Sequence, residues 1–438
     1  SLQPQLLMRA TRSFRRLRSS LARPATVSVA PSGDLHLTWS DGEARSFHPL
    51  WLRDNCPATR HGSSRQKLVS AATLPPGLRP AEAAVSADSD ELSVLWDPDG
   101  HRSVYSASWL RSLAAPDAEA AGCDAAEAEA YGSAPTLARL AFGELTDGGD
   151  EAPLWRLASL LQERGVVLVH GAPAEPGAVT RLARRIGPVQ PQIYGEAWDV
   201  VTSERAINLA YTGEPLGPHM DLCYYESPPG LQLLHCLRFD ESIAGGESTL
   251  IDAFAVARAL RRSQPRAFAD LARIPATFLK DHSDREEPVL MSYQRPHISL
   301  GPGGELVGVF WSPPFEGPLR APREEIGAYY AAYAALHGAI ERAPCTRHRL
   351  QPGEVLVFNN RRMLHGRDGF AGEGVRHLRG CYVNIDEFAN RFNLLRRKYV
   401  PGAGGASSAD PPLPLGNQDW ALGRSVGLPD APRYDCGL

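Results

Sequence analysis

The sequence predicts a mainly β protein with helical inserts, in which a double-stranded β-helix (jelly roll) follows a small β-rich N-terminal domain. Short apolar runs separated by turn residues recur between about 198 and 390, as in folds built from two packed sheets. Two strand–turn–strand patterns lie nearer the N-terminus. The composition is that of a globular protein, with 43% hydrophobic and 22% charged residues among 438.

The N-terminal part of the chain divides into three segments. Residues 1–25 contain six arginines and no acidic residue, which is typical of a transit peptide, with a disordered basic tail as the alternative. Residues 26–113 are predicted to form the β-rich domain, because TVSVAPSGDLHLTWSDG and ELSVLWDPDGHRSVYSASWL each show strand, turn and strand. The Ala- and acid-rich residues 114–136 are predicted to be a linker.

Residues 137–400 are predicted to form the jelly roll. Helical spacing is found in APLWRLASLLQERG and GAVTRLARRIG, and the strand-like run VVLVHG lies between them. Further strands are expected at LQLLHCL, STLIDAF, GVFWS, EVLVFNN and HLRGCYVNI. Helical inserts are expected at DAFAVARALRRSQPRAFADLARI and EEIGAYYAAYAALHGAIERA. The Gly/Pro-rich residues 401–438 are predicted to form a loosely ordered C-terminal tail.

Charge and cysteine usage narrow the possible partners and compartment. A net charge of −4 gives no general electrostatic basis for binding nucleic acid or an anionic membrane. No apolar run reaches the length of a membrane-spanning helix. Seven scattered cysteines without a CxxC pair indicate a reduced, intracellular protein. We therefore expect a cytoplasmic protein, or a mitochondrial one if the N-terminus is a transit peptide.

A possible metal site lies in YTGEPLGPHMDLCYYESPPG, residues 211–230, where His219 and Asp221 are two positions apart. In a strand, such residues point to the same face. His365, which follows the predicted strand EVLVF, is the candidate third ligand. Two imidazoles and one carboxylate leave three coordination positions open, as in non-haem Fe(II) oxygenases. A chance pair of surface residues is the alternative for His219 and Asp221 alone.

Arg376 lies eleven residues after His365, in GVRHLRGCYVNID. An oxygenase of this type uses 2-oxoglutarate, and a planar guanidinium fixes its distal carboxylate through two parallel hydrogen bonds. A surface salt bridge is the alternative role. Arg379, further along the predicted strand and placed on the same face, is a competing candidate.

Seven blocks resemble those of the gamma-butyrobetaine dioxygenase and trimethyllysine dioxygenase family, within the taurine-dioxygenase-like superfamily. The resemblance runs from about residue 26 to 395 and includes HPLWLRDNCP, YGEAW, NLAYT, PHMDLCYYESPPGLQLLHCL, GGESTLIDAF, MLHGR and RHLRGCY. It implies that His219, Asp221 and His365 bind Fe(II), that Arg376 binds 2-oxoglutarate, and that Ser248 lies near this co-substrate. It also implies ascorbate as reductant and a homodimer.

The resemblance also implies how a substrate is held. A trimethylammonium group is recognised by aromatic faces, and the family's cage positions match Tyr194, Trp198, Tyr211 and Tyr382. Core packing is the alternative for any one of them. Asn208 matches one of two family asparagines that hold the carboxylate of gamma-butyrobetaine. The second is expected in GVFWSPPFEG, which contains no Asn, so the anionic end of the substrate stays open.

The expected reaction is hydroxylation of gamma-butyrobetaine to L-carnitine, with release of succinate and CO2. The alternatives are another quaternary ammonium substrate, such as trimethyllysine or a choline-derived phosphonate, and a non-catalytic ligand-binding jelly roll. The intact set of His219, Asp221, His365 and Arg376 argues against the non-catalytic alternative.

The family's N-terminal domain holds a structural zinc, and its ligand positions match Cys56, Ala58, His61 and His101. Cys56, His61 and His101 would bind zinc with water as the fourth ligand, whereas closed structural zinc sites have four protein ligands. We therefore favour a zinc-free N-terminal domain that is stabilised by its own core.

Overall fold

The computed structural model describes residues 24–59, 68–69, 71–86, 90–112, 134–201, 213–284, 286–301, 304 and 306–400. Nearly all of the basic segment 1–25, most of the linker and the tail beyond 400 lie outside these residues. Contacts divide the described chain into two compact units, one formed by residues up to 112 with 396–400, the other by residues 134–395. The domain bounds proposed from the sequence stay predictions.

The N-terminal unit consists of two three-stranded antiparallel sheets, with strand orders β1-β2-β3 and β4-β5-β6. Alternate residues of β2 and β5 are buried, as expected for strands with one face on a core. Its strands and helices are β1 (Pro24–Val29), β2 (Leu35–Trp39), β3 (Ala44–Phe47), α1 (Pro49–Asp54), β4 (Arg79–Val85), β5 (Glu91–Asp97), β6 (Arg102–Ser106) and α2 (Ala107–Ser112).

The second unit begins with strands and helices that frame a large sheet. The first group is β7 (Ala138–Ala141), α3 (Phe142–Thr146), α4 (Ala152–Arg164), β8 (Val166–His170), α5 (Ala178–Ile186), β9 (Ala197–Val201), β10 (Leu216–His219), β11 (Leu231–Phe239), β12 (Ala244–Gly245) and β13 (Ser248–Asp252). The middle group is α6 (Ala253–Ser263), α7 (Pro265–Arg273), β14 (Pro275–His282), β15 (Val289–Pro296), β16 (Ile298–Leu300), β17 (Leu306–Val309) and α8 (Arg323–Glu341). The last group is β18 (Thr346–His348), β19 (Val355–Asn359), β20 (Met363–Arg367), β21 (Phe370–Ala371), β22 (Arg376–Val383) and α9 (Ile385–Tyr399).

Two sheets of this unit form the predicted jelly roll. The larger sheet has six strands in the order β7-β8-β19-β11-β22-β9, and the smaller has four in the order β10-β20-β13-β18. Pairing is antiparallel except between β7 and β8. Buried residues of both sheets, among them Phe358 of β19, Leu250 of β13 and Met363 of β20, form one apolar cluster. The predicted fold class is confirmed.

Two elements differ from the prediction. The helical insert after Asp252 is two helices, because Pro265 lacks the N–H that a continuous helix needs and instead begins α7. The run GVFWS is not a strand along its length: β17 ends at Val309, and a 3-10 turn occupies Pro313–Phe315. After Val309 the chain leaves its strand partner, and the Trp311 carbonyl accepts from the Met220 N–H at 2.8 Å. The consecutive residues Pro313 and Pro314 then cannot donate to a strand ladder, so the strand does not resume. Among the described helices, none has the length and apolarity needed to cross a bilayer.

Candidate active site

His219, Asp221 and His365 lie together. Each offers one ligand atom, and these atoms are all within 4.8 Å of one another. Antiparallel pairing of β10 with β20 sets His219 opposite His365, with ring centroids 4.3 Å apart. The expectation that Asp221 shares a strand with His219 is wrong, because β10 ends at His219 and Asp221 lies in the turn that follows. This turn, rather than strand alternation, brings the carboxylate to the two imidazoles.

Asn360 holds that turn in place. The Asp221 N–H donates to Asn360 Oδ1 at 2.9 Å, and Asn360 Nδ2 donates to the Asp221 carbonyl at 3.1 Å. Asn360 is buried directly after β19. The next residue along the turn, Leu222, has a φ of +58°, a left-handed conformation that a branched side chain rarely adopts. Sequence reasoning missed Asn360, although the polar pair ending EVLVFNN was a signal for it.

The two histidines of this cluster differ in the direction of their pKa shifts. His219 Nδ1–H donates to the Gly217 carbonyl at 2.9 Å, which leaves Nε2 facing Asp221 Oδ1 at 3.4 Å. Burial opposes charge on His219, but Asp221 raises its pKa overall. Burial and the neighbouring His219 lower the pKa of His365 to about 3. Despite burial, the two histidines hold the pKa of Asp221 well below its usual range. An ionised carboxylate between two imidazoles is the donor set of a non-haem Fe(II) site, so these residues fit iron.

Trp198 and Tyr382 form an aromatic wall beside the cluster. Their ring centroids are 4.1 Å apart with planes inclined by 24°. The pairing of β9 with β22 sets Trp198 opposite Gly380, where a Cβ would lie only 2.5 Å from Trp198 Cζ2. The absent side chain therefore lets the indole lie across β22. The Tyr382 hydroxyl donates to Asp221 Oδ2 at 2.7 Å, which joins this wall to the candidate metal ligands.

Tyr194 and Tyr224 complete an aromatic group around Asp221. Tyr224 and Tyr382 are buried in one apolar cluster, and Tyr194 packs against it. Burial raises the pKa of Tyr382, and the Asp221 charge and the phenols of Tyr194 and Tyr224 raise it further. Phe315 packs edge-on against Tyr224 with centroids 5.3 Å apart. Sequence reasoning missed Tyr224, although two consecutive tyrosines begin three residues after Asp221.

Of the remaining residues expected to bind substrate, the structure describes only the segment 308–317. Asn208 and Tyr211 lie outside the described residues. The segment without asparagine, residues 308–317, lies close to the metal ligands, because the Met220 N–H donates to the Trp311 carbonyl at 2.8 Å. Ser312 is fully buried, and its Oγ has no hydrogen-bond partner among the described residues.

Arg376 begins β22 and lies opposite Phe239 of β11. Its guanidinium is 5.4 Å from the Phe239 ring centroid and 5.6 Å from that of Phe370. Arg376 is buried, and its Nε has no partner in the part of the chain that the structure describes. Burial and the charge of Arg367 lower its pKa to about 10, and a bound carboxylate would offset both effects.

Gly246 leaves space beside this guanidinium. A Cβ on Gly246 would lie 3.6 Å from Arg376 Nε and 3.0 Å from Phe239 Cζ. An orphaned buried guanidinium atom beside a side-chain-free backbone fits the distal carboxylate of 2-oxoglutarate. Ser248, two residues on, begins β13 opposite Arg367 of β20 and is buried.

Arg379 does not share this pocket. Arg379 lies three positions after Arg376, so the two side chains lie on opposite faces of β22, and the expectation of one shared face is wrong. Arg379 forms an ion pair with Asp199 of β9, and His377 contacts the same carboxylate at 2.8 Å. These contacts give Arg379 a role in joining two strands.

In the N-terminal unit, Cys56 and His101 lie together. Cys56 Sγ is 3.3 Å from His101 Nε2, and Cys56 is fully buried. Ala58 lies in the 3-10 turn Pro57–Thr59, and His61 lies outside the described residues. Burial and the charge of Arg53 lower the pKa of His101. Of the four candidate zinc-ligand positions, the described residues therefore bring two potential metal ligands together, Cys56 and His101.

Comparisons with known proteins agree on one family. Residues 139–382 match the family model "Taurine catabolism dioxygenase TauD, TfdA family", and residues 29–111 match "Gamma-butyrobetaine hydroxylase-like, N-terminal". The gamma-butyrobetaine dioxygenase of Pseudomonas sp. (strain AK-1) is 35% identical over 386 residues, covering 86% of this chain and 97% of that protein. The trimethyllysine dioxygenase of Meyerozyma guilliermondii is 27% identical, covering 84% of this chain and 95% of that protein.

One solved structure, of PvcB, an Fe, alpha-ketoglutarate dependent oxygenase from an isonitrile synthetic pathway, is 25% identical with a TM-score of 0.40. It covers 53% of this chain and 80% of its own. The family assignment rests on the two relatives, which match this chain over 84–86% of its length, and on both family models. The chain therefore belongs to the gamma-butyrobetaine and trimethyllysine dioxygenase family, within the taurine-dioxygenase-like superfamily.

Proposed function

We propose that this dioxygenase hydroxylates a trimethylammonium compound in an Fe(II)- and 2-oxoglutarate-dependent reaction, with gamma-butyrobetaine as the substrate and L-carnitine as the product. The observation that supports this proposal best is the placement of the Trp198–Tyr382 wall next to the His219, Asp221 and His365 cluster. A relative named gamma-butyrobetaine dioxygenase, 35% identical to this chain, supports the choice of substrate.

The residues have separate tasks in this proposal. His219, Asp221 and His365 would hold Fe(II), and Arg376 would hold the distal carboxylate of 2-oxoglutarate, with Ser248 nearby. When bound, Fe(II) with 2-oxoglutarate supplies the O2 chemistry that hydroxylates a C–H bond and releases succinate and CO2. The protein contributes position: aromatic faces attract the cation, and a fixed cation sets which carbon lies near the metal. Burial of His219, His365, Arg376 and Tyr382 limits the water that reaches the reacting centre.

The anionic end of the substrate decides between related reactions. Because residues 308–317 contain no asparagine, the second candidate is a quaternary ammonium substrate whose other end differs, such as trimethyllysine, which carries an α-amino group beside its carboxylate, or a choline-derived phosphonate. The buried Ser312 hydroxyl is the polar side chain that this segment offers instead.

Succinate formation tests the proposal. We expect gamma-butyrobetaine to stimulate Fe(II)-dependent turnover of 2-oxoglutarate, with trimethyllysine and a choline-derived phosphonate as comparison substrates. The matched control is 5,5-dimethylhexanoate, which replaces the cationic nitrogen by carbon and should stimulate far less, because it lacks the charge. Equal stimulation by the neutral isostere, or none by any trimethylammonium compound, contradicts a cation-binding wall. Undiminished turnover in His219→Ala contradicts the metal assignment.

Three family properties belong to the same proposal. We expect ascorbate to sustain turnover, which its titration into the succinate assay measures. We expect a homodimer, which light scattering on the eluting protein measures. Localisation to the cytoplasm or to mitochondria is tested by fractionation of cells that express the full chain.

A further inference from the structure

Tyr382 makes two different contacts with the two halves of the site. Its ring stacks on Trp198, and its hydroxyl donates to Asp221 Oδ2 at 2.7 Å. Tyr382 is 2% exposed, so the donor of this hydrogen bond is shielded from water. Antiparallel pairing of β22 with β9 on one side and β11 on the other fixes the backbone that bears it.

This hydrogen bond distinguishes the two oxygens of Asp221. Oδ1 faces His219 Nε2 at 3.4 Å, whereas Oδ2 faces His365 Nε2 at 3.7 Å and also accepts from Tyr382. A carboxylate oxygen that accepts a short phenol hydrogen bond has less electron density to give to a metal, so the other oxygen is the better ligand. Asn360 holds the Asp221 backbone through two hydrogen bonds. Asp221 is thereby fixed at both its backbone and its carboxylate.

We infer that Tyr382 is a positioning residue that holds Asp221 as a one-oxygen metal ligand, in addition to forming a wall of the cation site. The inference rests on the proposed function, because it requires a metal at His219, Asp221 and His365. It assigns one side chain to both sites, so the ring serves the substrate and the hydroxyl serves the metal. Partners that orient a ligand commonly change metal affinity by about 10- to 100-fold when they are removed.

Tyr382→Phe separates these two roles, because it keeps the ring and removes the hydroxyl. We expect the dissociation constant for Co(II), measured by calorimetry on the metal-free full chain, to rise by about 10- to 100-fold. The visible d–d spectrum of the Co(II)-loaded protein should change, because Asp221 is then free to bind through both oxygens. The KM for gamma-butyrobetaine, measured at saturating Fe(II), should stay within about threefold, because the aromatic face remains.

Tyr329→Phe is the matched control. Tyr329 is also a buried tyrosine, but its hydroxyl contacts His297 Nε2 at 2.9 Å, in a different part of the unit. Its Co(II) affinity and spectrum should equal those of the wild type. A thermal melt of each metal-free variant separates loss of the metal ligand from loss of the fold.

The outcomes distinguish the inference from the proposed function. Wild-type protein that binds no Co(II), or that binds it equally well as His219→Ala, overturns the metal site itself. Loss of Co(II) binding in His219→Ala, together with unchanged affinity and spectrum in Tyr382→Phe, overturns the role of the Tyr382 hydroxyl alone.

Discussion

Arg376 shows how a single buried charge defines a ligand. Its guanidinium lies between Phe239 and Phe370, with Nε unpartnered among the described residues. Hydrogen bonds to charged groups contribute about 1.5–3 kcal/mol each, so losing one bond of a two-bond contact weakens binding tenfold or more. We therefore expect Arg376→Lys to raise the KM for 2-oxoglutarate by about 10- to 100-fold in the succinate assay.

Arg379→Lys is the control for that substitution, because Arg379 faces away from the pocket and contacts Asp199. Its KM for 2-oxoglutarate should stay near that of the wild type. A larger effect at Arg379 than at Arg376 would reverse the assignment of the two arginines.

Gly380 controls the shape of the cation site without touching a ligand. A methyl group there would lie 2.5 Å from Trp198 Cζ2, far inside van der Waals contact, so the indole must move. We expect Gly380→Ala to raise the KM for gamma-butyrobetaine by roughly tenfold and to leave the KM for 2-oxoglutarate unchanged. Gly177→Ala is the matched control, because nothing lies within 4 Å of its added Cβ. Equal substrate KM values in both variants would refute a steric role for Gly380.

Among the elements, Glu354 joins three parts of the jelly roll just before β19. Its carboxylate accepts from Gln351 N–H at 3.0 Å, contacts His348 Nε2 of β18 at 2.7 Å and accepts from Arg139 of β7 at 2.8 Å. Burial alone would raise the pKa of Glu354, but the hydrogen bonds from Gln351 and His348 lower it below its ordinary 4.5. A lowered carboxyl pKa stabilises the fold above the ordinary pKa, and this stabilisation is lost as pH falls through the folded-state value.

Glu354→Gln should therefore lower the free energy of unfolding by about 1–3 kcal/mol at pH 7, measured by urea titration. The difference from the wild type should shrink as the pH falls below 4.5, where the wild-type carboxylate also becomes protonated. Glu341→Gln, at an exposed position at the end of α8, should show almost no difference at either pH. A gap that widens with acid would show that the charge of Glu354 opposes folding.

The elements also show where local pattern stops predicting structure. Strands were predicted correctly at β11, β13, β19 and β22. In each of these segments, apolar residues alternate with polar ones or form a continuous run, and turn residues lie at both ends. The division of α6 from α7 depends on Pro265, which sits inside an otherwise continuous helical pattern. Asp221 reaches the histidines through a turn that contains the left-handed Leu222, and no residue type in the sequence indicates that conformation.

For the whole molecule, the fold class and the metal candidates were predictable because they depend on residue types and order. The chain brings together His219 of β10, His365 of β20 and Tyr382 of β22, which are far apart in sequence but meet where two sheets pack. The hydroxyl contact of Tyr382 and the support from Asn360 were not predictable, because each depends on the distance between side chains of different strands. Arg379 was wrongly placed on the same face as Arg376. Side chains alternate between the two faces of a strand, so an error of one position along the sequence puts a residue on the wrong face.

The position of β9 in the large sheet has a consequence for how far the substrate-facing wall can be altered. In the described part of the chain, β9 is the outermost strand and borders only β22, so Trp198 stands at a sheet edge while His365 lies on β20, between two neighbours. Mutations in an edge strand disturb fewer ladder partners than mutations in a central one. Substitutions in β9 should therefore change the wall that faces the substrate at a smaller cost to the fold than substitutions in β20, which carries His365.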